Sequence, residues 1–150
     1  MGVIKFVISQ NTDGLHRLSG ISADQIAELH GNAFLEKCEH CETRFERSFA
    51  CRMQRNAVPA KKCPQCRTDH RTGRVCSRPD CQGFLMNTII NFGDRLESDV
   101  LDRAEAQATM SDSVLARGST LTVSPANTLV TMGQRPVRLM ICNRHVVLLR

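Results

Sequence analysis

The 150-residue chain has no tryptophan and no tyrosine, and six phenylalanines are its only aromatic residues. It has no apolar run approaching the roughly 20 residues that span a bilayer, which argues against a membrane partner. Lysine and arginine number 20 against 15 acidic residues, a net charge of +5. That mild bias falls short of the dense basic runs of a dedicated nucleic-acid arm. The segment Met1–Phe6 lacks the charged start, long apolar stretch and cleavage site of a secretory signal. Phe6 also breaks the myristoylation pattern. Neither an internal repeat nor a low-complexity tract occurs. The length suits one domain of ordinary size.

Cysteine, by contrast, is plentiful: eight residues, six of them in close pairs. The pairs are Cys38-x2-Cys41, Cys63-x2-Cys66 and Cys76-x4-Cys81. Paired cysteines in a chain without a signal peptide read as metal thiolates in a reducing, intracellular compartment. Two Cys-x2-Cys turns suit tetrahedral zinc, and four thiolates leave no open position, so the metal is expected to be structural. By spacing alone, Cys38, Cys41, Cys63 and Cys66 lie closest to the usual zinc ribbon. The rival set is Cys38, Cys41, Cys76 and Cys81. Cys51 and Cys142 read as free, buried thiols. His40, between two ligand cysteines, reads as solvated.

The rest of the chain alternates strand and helix patterns. Val3–Ser9 is β-branched and apolar, the mark of a buried strand, and runs into the polar turn Gln10–Gly14. Ser22 and Gln25 fit a capping box ahead of a short helix carrying Ile26, Ala27 and Leu29. Ala33–Leu35 reads as a short strand. From Lys37 to about Leu85 apolar periodicity disappears, and a metal is expected to hold that stretch. Thr88–Phe92 reads as a strand. Leu96–Met110 reads as a helix with Val100, Leu101, Ala104 and Ala108 on one face. Ser113–Ala116 and Arg138–Cys142 read as strands. The order is α/β, a zinc-type insert, then α/β again.

Polar loops at strand ends are where open α/β folds place their sites. Gln10, Asn11 and Asp13 form such a loop, although ordinary turn chemistry explains them equally. His30 follows a short helix, and a lone histidine is more often structural than catalytic. Gly118-Ser119-Thr120 has backbone donors suited to phosphate, as many plain turns do.

Together these motifs resemble the sirtuins, the NAD-dependent protein deacylases. Ser9–His16 with Ser19-Gly20 is similar to the family's Q-N-x-D-x-L-H-x-x-[SA]-G loop. Glu28–Asn32 resembles its catalytic H-G motif, and Asn91–Asp94 its F-G-E loop with Asp in place of Glu. Gly118–Leu121 is similar to the G-[TS]-S-L loop, and Ile141–Asn143 to the late strand ending in Asn. Thr72-Gly73-Arg74 before Cys76, and the Ile89–Gly93 run, resemble the nuclear, chromatin-associated branch.

The resemblance implies a partial Rossmann-like parallel sheet with an inserted zinc-ribbon module. Residues 1–37 would form a partial NAD-binding region, 38–86 the zinc module and 87–150 the return segment. It implies NAD-dependent deacetylation of protein lysine, histone tails among the substrates, with NAD and zinc as cofactors and a nuclear setting. Related sirtuins also transfer ADP-ribose or remove longer acyl groups. His30 would be the general base for the ribose hydroxyl, a task that suits an imidazole near working pH. Gln10, Asn11 and Asp13 would hold the nicotinamide and ribose end. Gly118, Ser119 and Asn143 would lie near the adenosine half. Ile90 and Phe92 would flank the acetyl-lysine tunnel. The resemblance favours Cys38, Cys41, Cys76 and Cys81 as zinc ligands.

Some features depart from the pattern. No Gly-Ala-Gly-x-Ser phosphate loop occurs, Arg117 replaces an apolar residue, and the family's closing strand and helix do not follow Asn143. A fragment, poorly active and marginally stable alone, is the expectation. The alternative is an inactive zinc-ribbon or nucleic-acid binding module, with Arg52, Arg55, Lys61, Lys62, Arg67, Arg71 and Arg74 as its basic cluster.

Overall fold

The computed structural model describes residues 4–51 and 58–144. The chain divides into two compact units, residues 7–97 and residues 1–6 with 98–150.

In the first unit, strand β1 (Val7–Ser9) pairs in parallel with β2 (Ile26–Glu28), Val7 opposite Ile26 and Ser9 opposite Glu28. The expected start at Val3 lies outside the described residues, and Ile4 and Lys5 are exposed. A one-turn helix, α1 (Leu15–Leu18), and a 3-10 turn (Ala23–Gln25) join the two strands. The helix expected over Ile26–Leu29 does not form. Ser22 Oγ donates to Gln25 Oε1 at 2.9 Å instead of capping an amide, and the chain extends at once. A segment this short gains little from helix propensity, whereas pairing with β1 buries all of β2.

The cysteine-rich stretch forms a four-stranded antiparallel sheet in the order β4-β3-β6-β5. Its strands are β3 (Leu35–Cys38), β4 (Arg44–Glu46), β5 (Arg71–Val75) and β6 (Phe84–Asn87). The strand expected at Ala33–Leu35 thus begins at its last residue. The stretch buries a small cluster made mostly of its cysteines: Cys38, Cys76, Cys81 and Leu85, flanked by Cys41 and Phe45. β3 itself carries a buried charge, Glu36. Its carboxylate accepts from Arg47 Nε at 2.6 Å, from Arg74 Nε at 2.8 Å and from the Thr72 hydroxyl. Burial would raise the Glu36 pKa, but the hydrogen bonds from Arg74, Thr72 and Arg47 outweigh it and hold the group below its ordinary value.

No strand forms at Thr88–Phe92. There the Ile89 amide donates to Asn87 Oδ1 (3.1 Å) and the Asn91 amide to Asp94 Oδ2 (2.9 Å). Side chains that satisfy the backbone locally compete with a sheet ladder.

In the second unit, α2 (Ser98–Met110) buries Val100, Ala104 and Ala108 on one face, while Leu101, expected on that face, is half-buried. Leu96 and Glu97 precede it. Strands β7 (Ser113–Arg117) and β8 (Arg138–Cys142) pair in parallel, with the short helix α3 (Ala126–Leu129) between them. Ala116, Leu121 and Val130 form the core, with Val114 and Leu139 packed against it. Cys51 is buried as expected, but Cys142 is exposed, because β8 turns only Leu139 inward. Among the described residues no helix is long and apolar enough to cross a membrane.

Candidate functional site

The end of β1 and the end of β2 meet at one place in the first unit. His30 Nδ1 lies 3.1 Å from the carbonyl oxygen of Gln10. That carbonyl can only accept, so in the neutral ring Nδ1 carries the proton and Nε2 keeps its lone pair. The backbone next to the ring is tightly specified. Gly31 has φ of +77°, and a Cβ there would fall 1.8 Å from the Thr88 carbonyl oxygen. No other residue fits that approach. Buried Asn32 donates from Nδ2 to Glu28 Oε1 at 2.7 Å, and its amide donates to Thr88 Oγ1 at 3.1 Å. Buried Glu28 in turn accepts from Arg17 Nε at 2.9 Å. The His30 carbonyl accepts from the Ile90 amide at 3.1 Å, which joins the histidine to the loop carrying Ile90 and Phe92.

The polar loop is partly exposed. Asn11 and Asp13 are exposed, and Asp13 Oδ1 accepts from the Leu15 amide at 3.1 Å. Phe92 is 96% exposed, whereas Ile90 is half-buried. In the second unit, Gly118 has φ of +68° and its amide donates to the Cys142 carbonyl at 2.9 Å. Asn143 Nδ2 donates to the Ser119 carbonyl at 3.0 Å, and Ser119 Oγ accepts from the Leu121 amide. The sequence-predicted residues therefore fall into two groups, Gln10, Asn11, Asp13, His30, Ile90 and Phe92 in one unit and Gly118, Ser119 and Asn143 in the other.

The sulfurs of Cys38, Cys41, Cys76 and Cys81 all lie within 4.8 Å of one another. Cys38 and Cys81 are 3.6 Å apart, Cys41 and Cys76 3.7 Å. Four thiolates about 2.3 Å from a tetrahedral zinc stand about 3.8 Å from each other, so this set fits that ion. Gly83 leaves the room it needs: a Cβ there would stand 2.6 Å from Cys38 Sγ. Cys41 is held down to about 6 by Thr43, whose hydroxyl lies 3.3 Å from its sulfur.

Cys63 and Cys66 stay apart from this cluster and meet His70 and Asp94 instead. Neither partner was among the ligands expected from sequence. The Cys66-x3-His70 spacing signals the first, and nothing local signals the second. Of the five described members of the basic cluster, Lys61, Arg71 and Arg74 pair with carboxylates. Arg71 bonds Glu39 at 2.8 Å and lies over the Phe84 ring, and Arg74 bonds buried Glu36. Arg52 and Arg55 lie outside the described residues.

The Sir2 family pattern matches residues 1–125. NAD-dependent protein deacetylase SRT1 of Arabidopsis thaliana is 36% identical over 125 residues, 83% of this chain and 24% of that protein. NAD-dependent protein deacetylase sirtuin-7 of Bos taurus is 36% identical over 81% of this chain and 28% of its own length. Among solved structures, a Sir2 homolog–NAD complex superposes with a TM-score of 0.70 at 28% identity, covering 97% of this chain and 49% of that one. A Sir2 bound to acetylated peptide gives 0.65 at 26% identity, covering 95% and 52%. The chain spans about a quarter of the length of these curated relatives. Its α/β, Rossmann-like architecture is that of the solved Sir2 homolog, and a four-cysteine cluster is set into it. With its motif order, its fold and five-sixths of its residues matched, the chain belongs to the Sir2 family.

Proposed function

We propose that this chain carries the catalytic-base and zinc-binding parts of an NAD-dependent protein-lysine deacetylase, with residues 38–86 as the zinc module between 1–37 and 87–150. The observation that carries this reading is the His30 ring, its Nδ1 tied to the Gln10 carbonyl and its Nε2 left as a base. A fixed tautomer in a clamped loop suits general-base work. NAD, when bound, supplies the ADP-ribosyl acceptor for the acetyl group, with nicotinamide as the leaving group. Gln10, Asn11 and Asp13 would hold the nicotinamide and ribose end. Gly118, Ser119 and Asn143 would hold the adenosine half. Ile90 and Phe92 would flank the acyl-lysine, and the exposed Phe92 ring offers apolar surface for its stem. Cys38, Cys41, Cys76 and Cys81 would hold a structural zinc.

Acetylated protein lysine is the proposed substrate, histone tails its finer form, in a nuclear setting. The likeness to sirtuin-7 supports that setting. The nucleic-acid reading is weaker, because Arg71 and Arg74 are already engaged by Glu39 and Glu36.

The test is His30→Ala, in the chain itself and in the chain joined to the Gly-Ala-Gly-x-Ser strand–helix unit of a relative. NAD-dependent deacetylation of an acetyl-lysine peptide is expected to fall about 10²–10⁴-fold without loss of fold. A folded alanine variant with undiminished activity would remove His30 from the role.

A further inference from the structure

The cysteines outside the first cluster build a second one. Cys63 and Cys66 bring two sulfurs, His70 an imidazole nitrogen and Asp94 a carboxylate oxygen within 4.8 Å of one another. We propose that these four residues form a second, structural metal site of the zinc type, which fastens the 63–70 turn to the loop ending at Asp94.

Four observations carry the assignment. The first is a repeated turn. In Cys38–Thr43 the Cys38 amide donates to the Thr43 carbonyl (3.0 Å) and the Glu42 amide to the Cys38 carbonyl (3.1 Å). In Cys63–Thr68 the Cys63 amide donates to the Thr68 carbonyl (2.9 Å) and the Arg67 amide to the Cys63 carbonyl (3.0 Å). Glu42 and Arg67 hold the same left-handed conformation, φ of +57° and +64°. The second turn is thus folded like the one whose thiols fit zinc.

The second observation is the spacing of the donors. Cys63 Sγ is 3.2 Å from Asp94 Oδ1, Cys66 Sγ 3.2 Å from His70 Nε2, and His70 Nε2 3.3 Å from Asp94 Oδ2. Nitrogen, oxygen and sulfur ligands of tetrahedral zinc stand about 3.3–3.8 Å apart, so each separation needs to open by only a few tenths of an ångström.

Third, the outer groups are set as a metal site requires. His70 Nδ1 lies 3.3 Å from Asn87 Oδ1, and Asn87 Nδ2 donates to the His70 carbonyl at 3.1 Å, which fixes the amide's orientation. A carbonyl oxygen on Nδ1 leaves Nε2 as the ligand atom, the usual support of a metal-bound histidine. Asp94 is anchored by the Asn91 amide on Oδ2, and Asn91 Nδ2 lies 3.8 Å from Cys66 Sγ.

Fourth, no apolar core holds this turn. No residue from 58 to 71 is buried, and one isolated bridge, Lys62 to Asp69, closes the hairpin. Stretches without an apolar core commonly depend on a metal.

Four protein donors fill a tetrahedron, so the ion has no open position for substrate. Two thiols, one imidazole and one carboxylate suit a borderline-soft divalent ion over calcium or magnesium. Binding releases the two thiol protons to solvent. The site stands independently of the deacetylase reading, because metal content reports it without any turnover.

The test is zinc content per chain, by elemental mass spectrometry, after purification with a reductant and added zinc. The intact chain is expected to hold two zinc ions, and the Cys63→Ser, Cys66→Ser double variant one. One zinc in the intact chain, or two in the double variant, overturns the proposal. If the double variant fails to fold, the count in the intact chain still decides.

Discussion

Two turns of this chain share a backbone and differ in almost everything around it. Cys38–Thr43 lies beside a buried cluster in which Leu85 is 1% exposed. Cys63–Thr68 has no buried residue. The first turn meets two more cysteines, Cys76 and Cys81; the second meets His70 and Asp94. The difference separates what is encoded locally from what is not. A Cys-x2-Cys-x-Thr sequence sets the turn and points two sulfurs the same way in both places. The remaining ligands, and the degree of burial, come from wherever the fold brings distant residues.

The comparison can be broken most sharply at Cys38. Structural zinc contributes on the order of 10 kcal/mol of folding free energy, so Cys38→Ser is expected to unfold the β4-β3-β6-β5 sheet. Circular dichroism and thermal unfolding of this variant beside the Cys63→Ser, Cys66→Ser variant would show it. Equal losses from both would erase the distinction between a core site and a surface site.

Glu36→Gln comes next. It leaves Arg47 and Arg74 facing a neutral amide, and removing one partner of a buried charge network costs roughly 3 kcal/mol when the partners keep some solvent. The pH dependence has a definite sign. The Glu36 pKa is lowered on folding, so its contribution is present above the ordinary carboxylate value of 4.5 and is lost as pH falls through the lowered one. Denaturant titrations from pH 7 to 3 should show the intact chain losing more stability than Glu36→Gln.

A smaller effect is expected at Asn87, which bonds His70 and, among the proposed ligands of the two sites, no other. Loss of such an outer partner typically weakens metal binding about 10–100-fold. Chelator competition on Asn87→Ala should therefore release one zinc more readily and leave the other unchanged. The smallest effect sharpens the likeness of the turns. Glu42→Gly and Arg67→Gly relieve the same left-handed strain against the same entropy cost, so each should shift stability by less than about 1 kcal/mol. Opposite large shifts would mean that the turns are not equivalent.

Much of this was legible in the sequence. The spacing of Val100, Ala104 and Ala108 located α2, and the motif order located His30 beside Gln10. The Cys38, Cys41, Cys76, Cys81 set followed from family resemblance, where spacing alone preferred Cys63 and Cys66. What sequence did not convey was decided by tertiary pairing. Ile26–Glu28 is a strand because β1 lies alongside it, and Thr88–Phe92 is not one because Asn87 and Asp94 take its amides. Asp94 reaches Cys63 across 31 residues, a closure that no local pattern announces.

The most direct measurement is X-ray absorption at the zinc edge of the fully loaded chain. One four-sulfur site and one site of two sulfurs, a nitrogen and an oxygen average to three sulfurs and one lighter donor per zinc. That average is the predicted result. A first shell of sulfur alone would contradict the account, because the second turn would then hold no metal.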